Sequence, residues 1–140
     1  MVPPATSGFR SAEFADAWVD GEPSARWRSA TGIGPDDGAR HSGSSLLEVE
    51  PGCRLPKHTD SAEETIVVVS GKAKVTVAKS DVALAKGDAV LIPADQPHVV
   101  RNDGGDTLRF FAIYAGTDVV TTYEAEIEPG GERTRRPLGD

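Results

Sequence analysis

Short alternating runs of apolar and polar residues make up most of the chain between residues 45 and 115. These runs are rich in β-branched residues and are separated by turn-forming stretches such as KGD, ADQP and DGGD. They are SSLLEVE, ETIVVVS, KAKVTVAK, DVALA, AVLIP, HVVRN and LRFFAIY. Many short strands at close spacing, without a long helical pattern, favour an antiparallel sandwich or barrel. The sequence therefore predicts an all-β domain over residues 45–120.

The segments on either side of this domain are less regular. Residues 1–44 are rich in Gly, Pro, Ser and Asp, and we expect an irregular arm with one or two strands that packs on the barrel. ARWRSATG alternates like a strand, whereas the four-residue spacing of Phe14 and Trp18 predicts a short amphipathic helix over SAEFADAWV. Residues 121–140 are charged and contain Gly and Pro but little to bury. This pattern predicts a polar, extended or partly disordered tail.

Composition narrows the class of protein. The chain has 140 residues, of which 38% are hydrophobic, and this length suits one domain. Fifteen Lys and Arg against 22 Asp and Glu give a net charge of -7, which argues against nucleic acid or an anionic membrane as a partner. Cys53 is the only cysteine, so no intramolecular disulfide can form. With no signal segment or bilayer-spanning run, the expected location is the cytoplasm.

Four polar residues stand out against the apolar strands. In KHTDSAEE, His58 and Asp60 share one face of an extended chain, and Glu64 begins the apolar run that follows. His98 comes after a turn bracketed by prolines and directly before two valines. Two imidazoles and one or two carboxylates from separate strands suit a divalent first-row metal, in a facial arrangement similar to that of non-haem iron enzymes.

The spacing of these residues resembles the two motifs of the cupins. The first cupin motif has a glycine, a histidine, a second histidine, a glutamate and a glycine, and this chain matches every spacing with Gly52, His58, Asp60, Glu64 and Gly71. The second motif has a glycine, a proline, a glycine, a histidine and an asparagine, and here the matching residues are Gly87, Pro93, Asp95, His98 and Asn102. The 15 residues between Gly71 and Gly87 are similar to those of compact single-domain cupins.

Two positions depart from these motifs. Asp60 stands where the family has its second histidine, and Asp95 stands where it has a turn glycine. Aspartate tolerates the left-handed conformation that such a glycine usually supplies, so we expect the turn at Asp95 to be kept. Because aspartate is shorter than histidine, its carboxylate has less reach toward a metal than an imidazole has.

The resemblance implies a jelly-roll barrel, or double-stranded β-helix, with one divalent transition metal inside. Its ligands would be His58, Glu64 and His98, with Asp60 at the fourth position. Iron(II) is the first expectation, and zinc, manganese and nickel are alternatives. If Asp60 does not bind the metal, it would stand beside the ligands or act as a general base on bound water or substrate. Asp60 and Glu64 are therefore the candidate catalytic residues.

The family implies several functions for such a site. The first hypothesis is a metal-dependent enzyme acting on an oxygenated small molecule, either as a ring-cleaving dioxygenase or as a redox-neutral isomerase or polyketide cyclase. The alternative class is a non-catalytic ligand-binding or sensory cupin. A metal-free sugar-nucleotide epimerase ranks lowest, because the sequence shows no arginine cluster for a diphosphate. The resemblance also allows a homodimer, since many cupins pair through edge strands.

The remaining polar and aromatic residues have less specific assignments. His41 and Cys53 are expected to have no role in metal binding or catalysis. Tyr114 and Tyr123 are assigned to the core, with the cavity wall as the alternative. The arginines of the predicted strands are expected on solvated outer faces, with contact between one of them and an anionic substrate as the alternative. They are Arg26, Arg28, Arg54, Arg101 and Arg109.

Overall fold

Two six-stranded antiparallel sheets form the fold in a computed structural model that describes residues 3–139. The strands are β1 (Ala15–Val19), β2 (Glu22–Thr31), β3 (Gly43–Val49), β4 (Arg54–Asp60), β5 (Glu64–Ser70), β6 (Lys72–Val77), β7 (Ser80–Ala85), β8 (Ala89–Ile92), β9 (His98–Arg101), β10 (Leu108–Tyr114), β11 (Thr121–Ile127) and β12 (Glu132–Arg135). A short 3-10 helix spans Pro35–Asp37. No helix within the described residues is long and apolar enough to cross a membrane.

The order of the strands is that of a jelly roll. The first sheet has the order β1-β2-β3-β10-β5-β8, and the second has the order β12-β11-β4-β9-β6-β7. Several neighbouring strands are far apart in sequence, so the chain crosses repeatedly between the two sheets, as in Greek-key sandwiches. The prediction of an all-β jelly-roll barrel is confirmed.

The core lies between the two sheets and follows the alternation of the sequence. In β5 the side chains of Ile66 and Val68 are buried, and in β10 those of Phe110 and Ala112 are buried, while the residues between them face outward. Phe110 pairs in register with Val68 and is 1% exposed. Burying such a side chain contributes roughly 2–3 kcal/mol, so these rows of inward residues hold the two sheets together.

The N-terminal arm contains a strand where we predicted a helix. Ala15–Val19 is β1, and it pairs antiparallel with β2. The helix prediction is wrong because Asp20 and Gly21 form a tight turn, with Gly21 at φ +81°, that folds β1 back onto β2. The backbone of β1 bonds to β2 on one side, and the side chain of Ala17 is buried in the core.

The C-terminal segment also forms strands rather than a polar tail. β11 and β12 add to the edge of the second sheet, and Tyr123, Ile127 and Leu138 are buried. Inward-facing residues alternate with exposed ones along β11 and supply apolar surface. The charged composition of the segment as a whole did not indicate this. A backbone bridge between Trp18 and Glu128 joins this segment to the N-terminal arm, with N–H···O distances of 3.2 and 2.8 Å.

The turns of the two motifs have the conformations that their spacing requires. Asp95 has φ +63°, as expected for the residue that replaces a turn glycine. Its backbone N–H donates to the carbonyl of Asp60 at 2.8 Å, which ties the second motif to the first. The buried amide of Asn102 donates to the carbonyls of Val49 and Asp106, each at 2.8 Å, and so fixes the loop before β10.

Candidate metal centre

The predicted site residues come together at one end of the barrel interior. His58 and Asp60 lie at the end of β4, Glu64 begins β5 and His98 begins β9. The pairing of β4 with β9 places His58 opposite His98, with ring centroids 4.1 Å apart. The side chains of all four residues are no more than 5% exposed.

Backbone carbonyls orient the two imidazole rings. His58 Nδ1 lies 2.7 Å from the carbonyl oxygen of Pro56, and His98 Nδ1 lies 2.9 Å from that of Gln96. A carbonyl oxygen only accepts, so each Nδ1 carries the proton and each Nε2 faces the interior. Bonds of this kind from the second ring nitrogen are the usual way in which proteins orient a metal-binding histidine.

The two carboxylates face the same point as the imidazoles. Asp60 Oδ2 lies 3.4 Å from His98 Nε2 and 3.9 Å from His58 Nε2, whereas Glu64 Oε1 lies 3.1 Å from His98 Nε2. The other oxygen of Asp60 accepts a hydrogen bond from the Thr121 hydroxyl at 2.6 Å. The shorter side chain of Asp60 therefore reaches the histidines, because β4 places its backbone close to them.

These side chains suit a divalent cation. Asp60 Oδ2, Glu64 Oε1 and His98 Nε2 are buried and have no hydrogen-bond partner, which is costly unless a cation satisfies them. The donor atoms of His58, Asp60 and His98 lie within 4.8 Å of one another. Donors bound at about 2.1 Å to one ion are about 3.0–3.4 Å apart at adjacent positions, which is close to the observed separations.

The protonation of the site shows how strongly these groups interact. Burial lowers the pKa of His58 to about 4, and the neighbouring charge of His98 acts in the same direction. For His98 burial also acts downward, but the nearby carboxylates of Asp60 and Glu64 outweigh it and raise the pKa to about 10. Burial raises the pKa of Glu64 to about 7. Without a metal, His98 therefore keeps a proton between two carboxylates, and a bound cation has to displace it.

A cavity of about 330 Å³ adjoins these donors. Most of its wall is apolar or aromatic, and it includes Ala17, Trp27, Leu47, Leu55, Ile66, Val100 and Phe110. Tyr114 and Tyr123 also line the cavity. The cavity wall, which was the alternative to a core position for these two residues, is therefore where they lie. The ring of Tyr123 lies between Trp27 and His58, with centroid distances of 5.4 and 5.1 Å.

Trp27, Thr121 and Arg135 are among the cavity residues that the sequence analysis missed. Trp27 lies on β2, Thr121 on β11 and Arg135 on β12, all outside the two motifs. The alternation of buried and exposed positions around Thr121 and Tyr123 could have predicted that both side chains face the interior. Nothing in the sequence near Arg135 indicates that it lines a cavity.

The other residues singled out from the sequence lie away from the donors. His41 is exposed, and Cys53 is a half-buried free thiol. The predicted outer-face arginines make surface contacts: Arg28 and Arg109 pair with Glu48, Arg54 with Glu22 and Arg101 with Asp81, and Arg26 lies over the Trp18 ring. None of these residues lines the cavity beside the candidate metal site.

Family comparison agrees with the fold and the motifs. Residues 45–114, half of the chain, match the profile of the cupin domain. The chain belongs to the cupin family. No curated protein sequence matches this cupin chain.

Solved structures similar to this cupin have different names and functions. A putative sugar phosphate isomerase from Acidithiobacillus ferrooxidans is 27% identical with a TM-score of 0.61, and the match covers 93% of this chain and 81% of that one. The polyketide cyclase RemF from Streptomyces resistomycificus is 24% identical with a TM-score of 0.63, and the match covers 81% and 79%. Oxalate decarboxylase from Bacillus subtilis is 23% identical with a TM-score of 0.63, but the match spans only 29% of its length.

Proposed function

We propose that this cupin is a metal-dependent enzyme whose substrate is a small, largely apolar ring compound with metal-binding oxygen atoms. The observation that carries the proposal is the convergence of two imidazole Nε2 atoms and a carboxylate oxygen beside a cavity with several aromatic walls. His58, Asp60 and His98 would hold the ion, with Glu64 within reach of it. A bound divalent ion would supply Lewis acidity and, if it is iron(II), reactivity toward dioxygen.

The cavity supports this class of substrate. Its volume of about 330 Å³ is at the small end of ligand pockets, which suits one ring system with short substituents. Trp27, Phe110 and Tyr123 offer flat faces to such a ring, and polar side chains line the wall both at the metal donors and away from them. A dianion as small as oxalate would leave these apolar walls without contacts.

The first candidate reaction is a dioxygenation. His58, Asp60 and His98 form a set of two histidines and one carboxylate, which is typical of non-haem iron(II) oxygenases. Three protein ligands would leave room on a bound ion for a chelating substrate and dioxygen. Glu64 then lies outside the set of ligands and is placed to accept a proton from the bound substrate.

The second candidate is a redox-neutral isomerisation or cyclisation, and the position of Glu64 favours it. Glu64 Oε1 lies 3.1 Å from His98 Nε2, a spacing that also suits a fourth ligand. Four protein ligands would leave less room on a bound ion for dioxygen beside a chelating substrate. The cavity walls would then hold the substrate in a folded conformation while protons are transferred between its atoms.

Metal content and oxygen uptake test this proposal. We expect about one equivalent of iron, zinc, manganese or nickel in protein purified without chelators, and loss of that metal in His98→Ala. His41→Ala is the matched control, because this exposed histidine lies outside the site. A chain that takes up none of these metals on reconstitution would contradict the proposal.

Turnover assays then separate the reactions. Catechols and 1,3-diketones should be consumed by the iron(II) form, with stoichiometric uptake of dioxygen if the enzyme is a dioxygenase. Conversion of the same compounds without oxygen uptake would favour the isomerase or cyclase. Metal-dependent binding of these compounds without any conversion would indicate a ligand-binding cupin instead.

A further inference from the structure

A second charged group lines the same cavity as the metal donors. Arg135, the last residue of β12, contributes to the wall together with His58, Asp60 and Glu64. Its Nη2 donates to the carbonyl oxygens of Ile127 at 3.2 Å and Pro129 at 2.7 Å. The guanidinium is therefore held in place by the turn between β11 and β12.

This guanidinium has spare hydrogen-bonding capacity and an unbalanced charge. Within residues 3–139, its Nε and Nη1 have no hydrogen-bond partner, and no carboxylate lies within 4.0 Å of it. A guanidinium that is already fixed loses little conformational freedom when it binds an anion, and charge-assisted hydrogen bonds are among the stronger ones. Arg135 is thus suited to bind a negatively charged group inside the cavity.

Tyr123 relates Arg135 to the metal donors. The Tyr123 ring is 5.1 Å from that of His58. Burial is the main cause that raises the pKa of Tyr123, the charge of Asp60 adds to this, and the charge of Arg135 acts in the opposite direction. The phenol therefore senses both groups. Strand pairing agrees with this, because Arg135 pairs with Thr121 and Thr121 pairs with Asp60, so Arg135 lies two strands from the metal donors.

The other charged side chains of the cavity wall leave Arg135 as its cationic pole. Arg136 also lines the cavity, but it pairs with Asp118 at 2.5 Å. Glu13 lines the wall and is exposed to solvent, which screens its charge. Among the metal donors, the two negative charges of Asp60 and Glu64 would balance a divalent ion.

We infer that Arg135 determines specificity by binding a carboxylate of the substrate, while oxygen atoms elsewhere on the same ring compound face the metal donors. The inference rests on the proposed function and narrows its substrate class to cyclic or aromatic carboxylic acids. Arg135 fixes the position of the substrate and takes no part in the bond-making step.

A matched pair of probes tests this assignment. 3-(3,4-Dihydroxyphenyl)propanoate carries a catechol for the metal and a carboxylate for Arg135, whereas its amide keeps the catechol and lacks the charge. Calorimetry with the metal-loaded chain should show the acid binding about tenfold more tightly than the amide. In Arg135→Gln the ratio should fall to about one, and Arg135→Lys should keep part of it.

Controls separate this role from a structural one. Arg133→Gln removes an exposed arginine of the same strand that does not line the cavity, and it should keep the wild-type ratio. If Arg135 only holds the β11–β12 turn, its loss would weaken acid and amide equally and leave the ratio unchanged, which would overturn the inference. Equal affinities of acid and amide in the wild type, or binding of neither, would overturn it as well.

Metal analysis of each variant keeps this test apart from that of the proposed function. A chain that takes up no metal contradicts the proposed enzyme, and the acid-to-amide ratio measured on that metal-free chain still decides the role of Arg135. Full metal content with a ratio of one in the wild type rejects the assignment of Arg135 alone.

Discussion

The Thr121 hydroxyl donates a 2.6 Å hydrogen bond to Asp60 Oδ1 and leaves Asp60 Oδ2 directed toward the two histidines. Thr121 lies on β11 and pairs with Asp60 across the sheet. A strand outside both cupin motifs therefore orients the carboxylate that replaces the second histidine of the family. Partners of this kind commonly decide how well a ligand binds its metal.

Removing this hydrogen bond should weaken metal binding without unfolding the protein. Thr121→Val keeps the shape of the side chain but frees Asp60 to rotate, so we expect metal affinity to fall about tenfold to hundredfold. Competition with a coloured chelator measures the change. Thr122→Val, at the exposed neighbouring position on β11, should leave the affinity unaltered. Equal affinities of wild type and Thr121→Val would show that Asp60 is not a ligand.

The two carboxylates should differ in their importance for the metal. Asp60 Oδ2 lies near both histidine Nε2 atoms, whereas Glu64 Oε1 lies near that of His98 alone. We therefore expect Asp60→Asn to lower metal affinity more than Glu64→Gln, by about tenfold or more. The same chelator competition gives both values. A larger loss in Glu64→Gln would make Glu64 the principal carboxylate ligand, as the family resemblance first implied.

Metal affinity should rise with pH. The pKa of His98 is raised to about 10, so the metal-free protein carries this proton at neutral pH and has to release it when the ion binds. Glu64, with a pKa of about 7, holds a second proton in more acidic solution. We predict release of about two protons per metal near pH 6 and about one near pH 8.5.

Calorimetry in buffers of different ionisation enthalpy counts these protons. His58 should contribute none, because its pKa is lowered to about 4 and the ring is already neutral across this range. An affinity that does not change between pH 6 and 8.5 would contradict the placement of the proton on His98.

Contact between Gly43 and Leu138 should make the C-terminal segment sensitive to small changes in β3. A Cβ at position 43 would lie 2.3 Å from Leu138 Cδ1, so Gly43→Ala should lower the free energy of unfolding by about 1–3 kcal/mol. Gly8→Ala is the control, because nothing lies within 4 Å of a Cβ at that position. Denaturant unfolding measures both variants.

A double variant identifies the cause of this loss. Leu138→Ala alone should cost about 2 kcal/mol or more, because Leu138 is 5% exposed and packs in the core. In Gly43→Ala/Leu138→Ala the clash is relieved, and the combined loss should be smaller than the sum of the single losses. Additive losses would mean that the two residues do not meet.

The motif spacing was sufficient to predict the barrel and the convergence of the four polar side chains. His58, Asp60, Glu64 and His98 lie where strand alternation and the cupin pattern place them, because turns of fixed length leave little freedom between paired strands. The reach of Asp60 was not predictable in this way. It depends on the separation of β4 and β9 and on a hydrogen bond from a distant strand.

Local sequence patterns gave a different secondary structure from the observed one at both ends of the chain. The spacing of Phe14 and Trp18 fits a helix, but Asp20 and Gly21 are a strong hairpin signal that deserved more weight. In the C-terminal segment, the total of charged residues hid the alternation of Thr121, Tyr123 and Ile127. The position of Arg135 depends on the turn between β11 and β12 and on how that hairpin packs on the barrel. The composition of the segment predicts neither.

The cavity wall combines the motif strands with residues from both ends of the chain. Trp27 precedes the family-matched segment 45–114, and Tyr123 and Arg135 follow it, whereas His58, Glu64 and His98 lie within it. Under the proposed function, metal binding and substrate selection therefore depend on different segments of the chain. Exchanging the two ends between related chains, with the central segment held constant and Thr121 retained to orient Asp60, offers a route to new selectivities without loss of the metal site.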